Sequence, residues 1–188
     1  MKSTQVRIIA GQWRGSKLPV PTVAGLRPTP DRIRETLFNW LSLDCRSAQV
    51  LDCFAGSGVL GFEAASRGAA GVTLIEQNES GWRNLKTQIE RLQAGNIDLH
   101  RGDATELVPN LPPIYNIVFI DPPYAQPELR DRVINLLIEK QKLADGAMIY
   151  LEWPVGEEYD LPHPDLAWLK QKKAGQVNYA IAEWRPSR

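Results

Sequence analysis

The stretch Gln49-Val-Leu-Asp-Cys-Phe-Ala-Gly-Ser-Gly-Val-Leu-Gly61 decides how the rest of the chain is read. Its first part is a short apolar run that ends on an acid, Asp52. Its second part spaces Gly56, Gly58 and Gly61 as G-x-G-x-x-G. An apolar run followed at once by glycines, then by Val59 and Leu60, reads as a strand, a tight turn and the opening of a helix. Glycines in such a turn let backbone N–H groups approach a ligand at the helix N-terminus. The next apolar run, residues 72–76, ends on Glu76, an acid placed to accept the two hydroxyls of a ribose.

Outward from this turn the pattern repeats. Further apolar runs at 97–100, 115–121 and 147–152 read as covered strands, and residues 58–68, 78–94, 103–109 and 127–140 read as helices between them. Strands alternating with helices predict an α/β, doubly wound, Rossmann-like and mostly parallel sheet. The tail departs from this rhythm. Residues 167–173 and 176–184 are joined by only Ala174-Gly175, which predicts a C-terminal antiparallel hairpin and brings the sheet to seven strands. Before the alternation begins, Pro30-Asp31 opens a helix with Ile33, Leu37, Trp40 and Leu41 on one apolar face and Arg32, Arg34 and Glu35 off it. Residues 1–30, rich in glycine and proline with β-like runs such as Val6-Arg-Ile-Ile9, read as a small β-rich arm packed on the main domain at 31–188.

Bulk properties narrow the function classes. The chain has 188 residues, room for one domain with a sizeable core but not for a large separate substrate domain. Lys plus Arg and Asp plus Glu both number 22, so net charge predicts no overall affinity for nucleic acid. Distribution says more: residues 1–40 hold seven basic side chains against two acids, 7 − 2 = +5, and the remainder sums to −5. Two cysteines, Cys45 and Cys53, build no disulfide framework, and a reducing cytoplasm fits. No apolar run is long enough to span a bilayer. His100 and His163 lie far apart without cysteine partners, so no metal site is expected.

The glycine turn alone also matches a dinucleotide site, but Asp52 argues against one. A pyrophosphate would lie over this turn, where a carboxylate is unwelcome. S-adenosylmethionine instead needs an acceptor there for its ammonium group. Asp103, after the third strand, can accept an adenine amino group or cap a helix, and the two roles are compatible.

A second motif follows the run Ile117-Val-Phe-Ile120, namely Asp121-Pro-Pro-Tyr124. The exocyclic amine of a base is a poor nucleophile because its lone pair is delocalised into the ring. Asp121 and the Pro122 carbonyl can accept its two N–H bonds and aim the lone pair, while the paired rings of Pro122 and Pro123 stiffen the turn. Tyr124 offers a face on which the target ring can stack.

These two motifs resemble motifs I and IV of class I, S-adenosylmethionine-dependent amino-methyltransferases. The front of the chain is more specific. Arg7-Ile-Ile-Ala-Gly-Gln-Trp-Arg-Gly15, Leu26-Arg-Pro-Thr-Pro-Asp-Arg-Ile-Arg-Glu-Thr-Leu-Phe-Asn-Trp-Leu41, Ser66-Arg-Gly68 and Ala174-Gly-Gln-Val-Asn-Tyr179 resemble the RsmD family, which methylates the N2 of a guanine in 16S ribosomal RNA. Cys53 is a small departure, since many relatives have an apolar residue there. The resemblance implies that Asp52, Phe54, Ala55, Gly56, Ser57 and Gly58 hold the methionine part of the cofactor, Glu76 and Gln77 the ribose, and Asp103 and Ala104 the adenine, with Thr29 and Arg32 at the border. It also implies that Arg7, Arg14, Lys17, Arg27, Arg32 and Arg34 contact RNA, with Trp13 packed on a sugar or base. On composition alone the plainer reading is a solvated surface with Trp13 buried. The implied partner is 16S ribosomal RNA in an assembling small subunit, and a monomer is expected. Rival readings are a methyltransferase acting on adenine or cytosine in DNA or on protein glutamine, a nicotinamide-dependent oxidoreductase, and a non-catalytic RNA-binding assembly module.

Overall fold

The computed structural model describes residues 5–20, 29–41, 44–112 and 114–187. Strands β1 (Gln5–Arg7) and β2 (Lys17–Pro19) form an antiparallel pair, followed by helix α1 (Asp31–Trp40). The alternating body runs β3 (Gln49–Asp52), α2 (Val59–Ser66), β4 (Gly71–Glu76), α3 (Glu79–Leu92), β5 (Ile97–Arg101), α4 (Ala104–Leu107), β6 (Tyr115–Ile120), α5 (Glu128–Glu139) and β7 (Leu143–Pro154). Strands β8 (Leu166–Ala174) and β9 (Val177–Trp184) complete a seven-stranded sheet of order β5-β4-β3-β6-β7-β9-β8. It is parallel from β5 to β7, whereas β9 runs antiparallel to both β7 and β8. This is the doubly wound sheet with a terminal hairpin expected from the sequence.

Side-chain alternation divides the core into two layers. Val50, Val72, Leu74, Ile117 and Phe119 point to one face and pack with Ile33, Leu37, Phe38, Phe62 and Leu85 of α1, α2 and α3. Leu51, Ile75, Val118, Ile120 and Ile149 point to the other, against Val133, Ile134 and Leu137 of α5. Strand order reverses between β3 and β6, and there the carboxyl ends of the strands open a crevice.

Two elements differ from the reading of the sequence. Strand β7 begins four residues early, because Leu143 pairs with Tyr115 across an irregularity before regular pairing resumes at Ile117–Met148. Asp145 and Gly146 in that extension carry no apolar signal. The helix expected at 103–109 is α4 followed by a 3-10 turn, Val108–Asn110, with Pro109 inside it.

Helix α2 has all eight residues buried, which requires cover on its outer side. The β1–β2 hairpin supplies it. The backbone amides of Ile9 and Ala10 donate to the Glu63 carboxylate at 2.7 and 3.0 Å. Gln12 N donates to the Ser66 carbonyl at 2.8 Å and Trp13 N to Ser66 Oγ at 2.9 Å. Gly11 is held so close that a Cβ there would lie 1.8 Å from the Ser66 carbonyl oxygen, and its φ of +84° favours glycine as well.

The expected placement of Arg34 is corrected by this packing. Rather than lying off the apolar face, its side chain is fully buried and makes hydrogen bonds to the Thr29 carbonyl (3.2 Å), the Arg7 carbonyl (2.9 Å) and Asp31 (2.5 Å), with Glu63 at 3.7 Å. It therefore braces the hairpin and cannot reach a phosphate from there. Trp13 is buried edge-on against Phe62 and is not available for a sugar or base. Arg14, Lys17 and Arg32 are exposed, and Arg7 is 64% exposed while pairing with Asp31 at 3.4 Å. Arg27 lies outside the described residues. The basic run Lys170, Lys172 and Lys173 is solvated on the edge strand β8, where lysines discourage strand-to-strand association. Both cysteines are buried free thiols. Among the described residues no helix is long and apolar enough to cross a membrane.

Candidate active site

A cavity of about 460 Å³ lies at the carboxyl edge of β3, β4, β5 and β6. Each sequence-derived site residue finds a place relative to it. Thr29, Asp52, Phe54, Ala55, Gly56, Ser57, Glu76, Gln77, Asp103, Ala104, Asp121, Pro122, Pro123 and Tyr124 all line it. Gly58 does not. With a φ of +75°, it caps α2 from below, and a Cβ would meet Leu85 at 2.4 Å and the Phe62 ring at 2.9 Å. Its requirement is the positive φ and the close packing of the turn against α3 and the first turn of α2, not contact with a ligand. Arg32 is likewise absent from the cavity wall.

The glycine turn is built by hydrogen bonds that the sequence order dictates. Ala55 N donates to the Ile75 carbonyl at 2.9 Å, and Gly58 N to the Ala55 carbonyl at 2.6 Å. Glu76, ending β4, reaches across with one oxygen to Gly56 N and with the other to Asn78 N, both at 2.7 Å. Those bonds orient the carboxylate and leave each oxygen a second lone pair for a ligand hydroxyl. Asp103 caps α4 by accepting from Thr105 N and Thr105 Oγ1, both at 2.7 Å and both on Oδ1. The cap and an amino contact through the other oxygen can therefore coexist. Asn78 caps α3 at the cavity rim, accepting from Ser80 N and Gly81 N.

The electrostatics of the cavity are one-sided. Its described wall carries four carboxyl groups, Asp52, Glu76, Asp103 and Asp121, and no lysine, arginine or histidine. Burial raises Asp52 to a pKa of about 7, opposed by the Gly61 and Phe54 amides and reinforced by the charge of Glu76. Burial also raises Glu76, against the pull of the Asn78 and Gly56 amides. Asp121 lies well above the ordinary carboxylate range. Burial is the main cause, followed by the charges of Glu152 and Asp52, with Arg130 opposing. Among the described residues none of these four acids has a salt-bridge partner, and a cationic ligand would supply one. A pyrophosphate would meet only like charge.

Asp121 is half-buried at the end of β6, and no hydrogen bond or ion pair occupies its carboxylate among the described residues. The Gln126 amide donates to the Pro123 carbonyl at 2.8 Å and closes the turn after the prolines. Tyr124 projects at the cavity mouth with 54% of its surface exposed. A ring laid on Tyr124 with an amine toward Asp121 would face the acid-lined cavity.

Two residues near Asp121 escaped the sequence reading. Glu152 lies two residues before the end of β7 and closes the apolar run Met148-Ile-Tyr-Leu151, much as Asp52, Glu76 and Asp121 close theirs, and that shared position is the signal available. Arg130 in α5 is buried with its guanidinium 4.4 Å from the Tyr159 ring, and no local pattern marked it.

The sheet order with its reversed ninth strand, the glycine turn and the Asp-Pro-Pro-Tyr turn on one cavity define a class I, S-adenosylmethionine-dependent methyltransferase. Residues 6–183 match the family model described as Conserved hypothetical protein 95, and the chain belongs to that family, the RsmD family. It is similar to the ribosomal RNA small subunit methyltransferase D of Escherichia coli, with 49% identity over 95% of this chain and 90% of that protein. Similarity to the protein of that name from Haemophilus influenzae is 40% over 94% and 93%. A solved structure described as a putative methyltransferase from Escherichia coli, yhhF, superposes with a TM-score of 0.88 at 44% identity, covering 97% of this chain and 99% of that one.

Proposed function

We propose that this protein transfers a methyl group from S-adenosylmethionine to the exocyclic N2 of a guanine in small-subunit, 16S ribosomal RNA. The observation that carries the reading is the sharing of one cavity by the acid-lined glycine turn and the Asp121-Pro-Pro-Tyr124 turn. S-adenosylmethionine carries its methyl on a positively charged sulfur, an activated donor that asks for positioning more than for a strong base. The residues present fit it: Asp52 for the ammonium, Phe54, Ala55, Gly56 and Ser57 along the methionine part, Glu76 with Gln77 for the ribose, and Asp103 with Ala104 for the adenine. Thr29 closes one side.

At the other end of the cavity, Asp121 and the Pro122 carbonyl accept the two N–H bonds of the target amine and hold its lone pair on one line. Tyr124 stacks on the guanine. The exposed Arg7, Arg14, Lys17 and Arg32 contact phosphate without reading sequence. We assign residues 1–30 to an RNA-contacting arm on the methyltransferase domain at 31–188. The hairpin is docked on α2 through Glu63 and Ser66, so Arg7, Arg14 and Lys17 are presented on a fixed platform. A small enzyme with such a platform takes its specificity from the shape of an assembling small subunit, and it works as a cytoplasmic monomer.

Cofactor affinity depends on pH in a direction that follows from Asp52. The ammonium needs the ionised carboxylate, so affinity falls as pH drops through about 7. S-adenosylhomocysteine, which keeps that ammonium, should bind about tenfold more weakly at pH 6 than at pH 8 by calorimetry. Asp52→Asn should weaken binding at pH 8 and flatten the dependence. A wild-type affinity equal at both pH values would remove Asp52 from this role.

Stacking needs the ring of Tyr124 and not its hydroxyl. Tyr124→Ala should lower kcat/KM for RNA by about tenfold to a hundredfold, the usual range for a base–aromatic stack, while Tyr124→Phe stays within about twofold. Steady-state methylation assays compare the two directly. The substrate form is tested by comparing methyl incorporation into naked 16S RNA and into assembled particles lacking the modification. Incorporation restricted to the particle supports the reading, and equal incorporation into both would reassign specificity to the RNA alone.

A further inference from the structure

Glu152 sits one strand away from Asp121. The β6–β7 register pairs Phe119 with Tyr150 and Ile120 with Leu151, so Asp121 and Glu152 follow side by side at the carboxyl edge of the sheet. Glu152 is only 6% exposed. Its Oε1 accepts from the Tyr150 hydroxyl at 2.6 Å and from the Thr29 hydroxyl at 3.2 Å. Among the described residues it has no cationic partner. An apolar residue would fill such a site at less cost than a buried carboxylate next to a second one, so packing alone does not account for it.

We propose that Glu152 is a positioning residue for the transfer step: its charge, held beside Asp121 by the Tyr150 and Thr29 hydroxyls, makes Asp121 the proton acceptor of the site. The inference rests on the role given to Asp121 under the proposed function. As the amine nitrogen forms its bond to the methyl carbon, the carbon–sulfur electron pair stays on sulfur and the nitrogen becomes cationic. One of its two protons must then leave. Asp121, already hydrogen-bonded to that N–H, takes it and becomes a neutral acid, and the negative Glu152 alongside favours the neutral form. Among the described residues the titratable and charged groups around Asp121 are Glu152 and Tyr150 from β7, Asp52 from β3 and Arg130 from α5, and of these Arg130 alone pulls against protonation.

The test is the pH dependence of kcat in two variants. Glu152→Gln keeps an oxygen for both hydroxyls and removes the charge. Asp121 then ionises more readily, so the acid limb moves down by about one pH unit and the plateau rate falls about tenfold. Tyr150→Phe weakens the hold on the Glu152 anion, which shifts a shared proton from Asp121 to Glu152 and moves the limb down by less. Carbon-13 titration of the Asp121 carboxyl in ligand-free protein should show the same two downward movements, which a packing defect would not produce. Limbs and titrations that stay at their wild-type positions in both variants overturn the proposal. Full activity in an Asp121→Ala variant overturns instead the assignment on which it rests.

Discussion

Asp121→Ala is expected to lower kcat by about a hundred- to a thousandfold, the range for losing one preorganised hydrogen-bonding group at a reacting centre. The half-buried carboxylate directly follows β6 at the wall of the cavity, next to the stiff Pro122-Pro123 turn that also lines it, where the proposed mechanism puts the target amine. Without it the amine loses an acceptor for one N–H, its lone pair is no longer aimed, and the proton it sheds has no nearby acceptor. S-adenosylhomocysteine affinity should change by less than about threefold, because the ligand contacts proposed for Asp52, Glu76 and Asp103 are untouched. Asp52 is one of the like charges that bear on Asp121, so removing Asp121 also takes away a repulsion between the two, which offsets any lost attraction for a cationic ligand. Methylation kinetics with a calorimetric titration separate the two effects. A rate unchanged with intact binding would place the chemistry elsewhere.

Glu63→Ala carries the largest expected cost in stability. Glu63 is fully buried and receives the Ile9 amide, the Ala10 amide and Arg67 at 2.7, 3.0 and 2.7 Å, with Arg34 at 3.7 Å. Removing the carboxylate leaves a buried guanidinium and two amides short of their acceptor, and breaking a buried pair from one side costs about 3–5 kcal/mol. For a domain of this size each kcal/mol moves the melting temperature by about 2–4 °C, so a fall of about 10 °C or more is expected. The loss should appear first at the hairpin, as faster amide hydrogen exchange at Ile9 and Ala10. Arg32→Ala, on the exposed face of α1, should stay within about 0.5 kcal/mol of wild type. Melting and exchange measured on both variants check the contrast.

The strands of the body were legible because a parallel sheet covered on both faces writes each strand as an unbroken apolar run, as Val50-Leu51 and Ile117-Val-Phe-Ile120 do. The candidate site was legible where the proposed function asks for a fixed residue type at a strand end. Asp52, Glu76 and Asp121 are such cases, and so is the turn between Asp52 and Val59. What failed were the features set by distant contacts. Arg34 read as a solvated cation because nothing near it shows that Thr29, Arg7 and Asp31 would supply its acceptors and Glu63 its counter-charge. Trp13 admits two readings from the sequence, and it is the docked hairpin that buries it. Gly58 reads in the sequence like its neighbours in the turn, yet its need for glycine comes from its positive φ and from Leu85 and Phe62 beneath it. Glu152 lay in plain view at the end of an apolar run, but its significance depends on lateral pairing of β6 with β7, which spacing does not record.

The central claim is methyl transfer to guanine N2, and nucleoside mass analysis tests it most directly. Small-subunit particles from a strain lacking this gene are incubated with the protein and isotopically labelled S-adenosylmethionine, and the RNA is digested to nucleosides. We expect label in N2-methylguanosine alone, absent when Asp121→Ala replaces the wild type. Label in a methylated adenosine or cytidine, or no label in RNA at all, would contradict it.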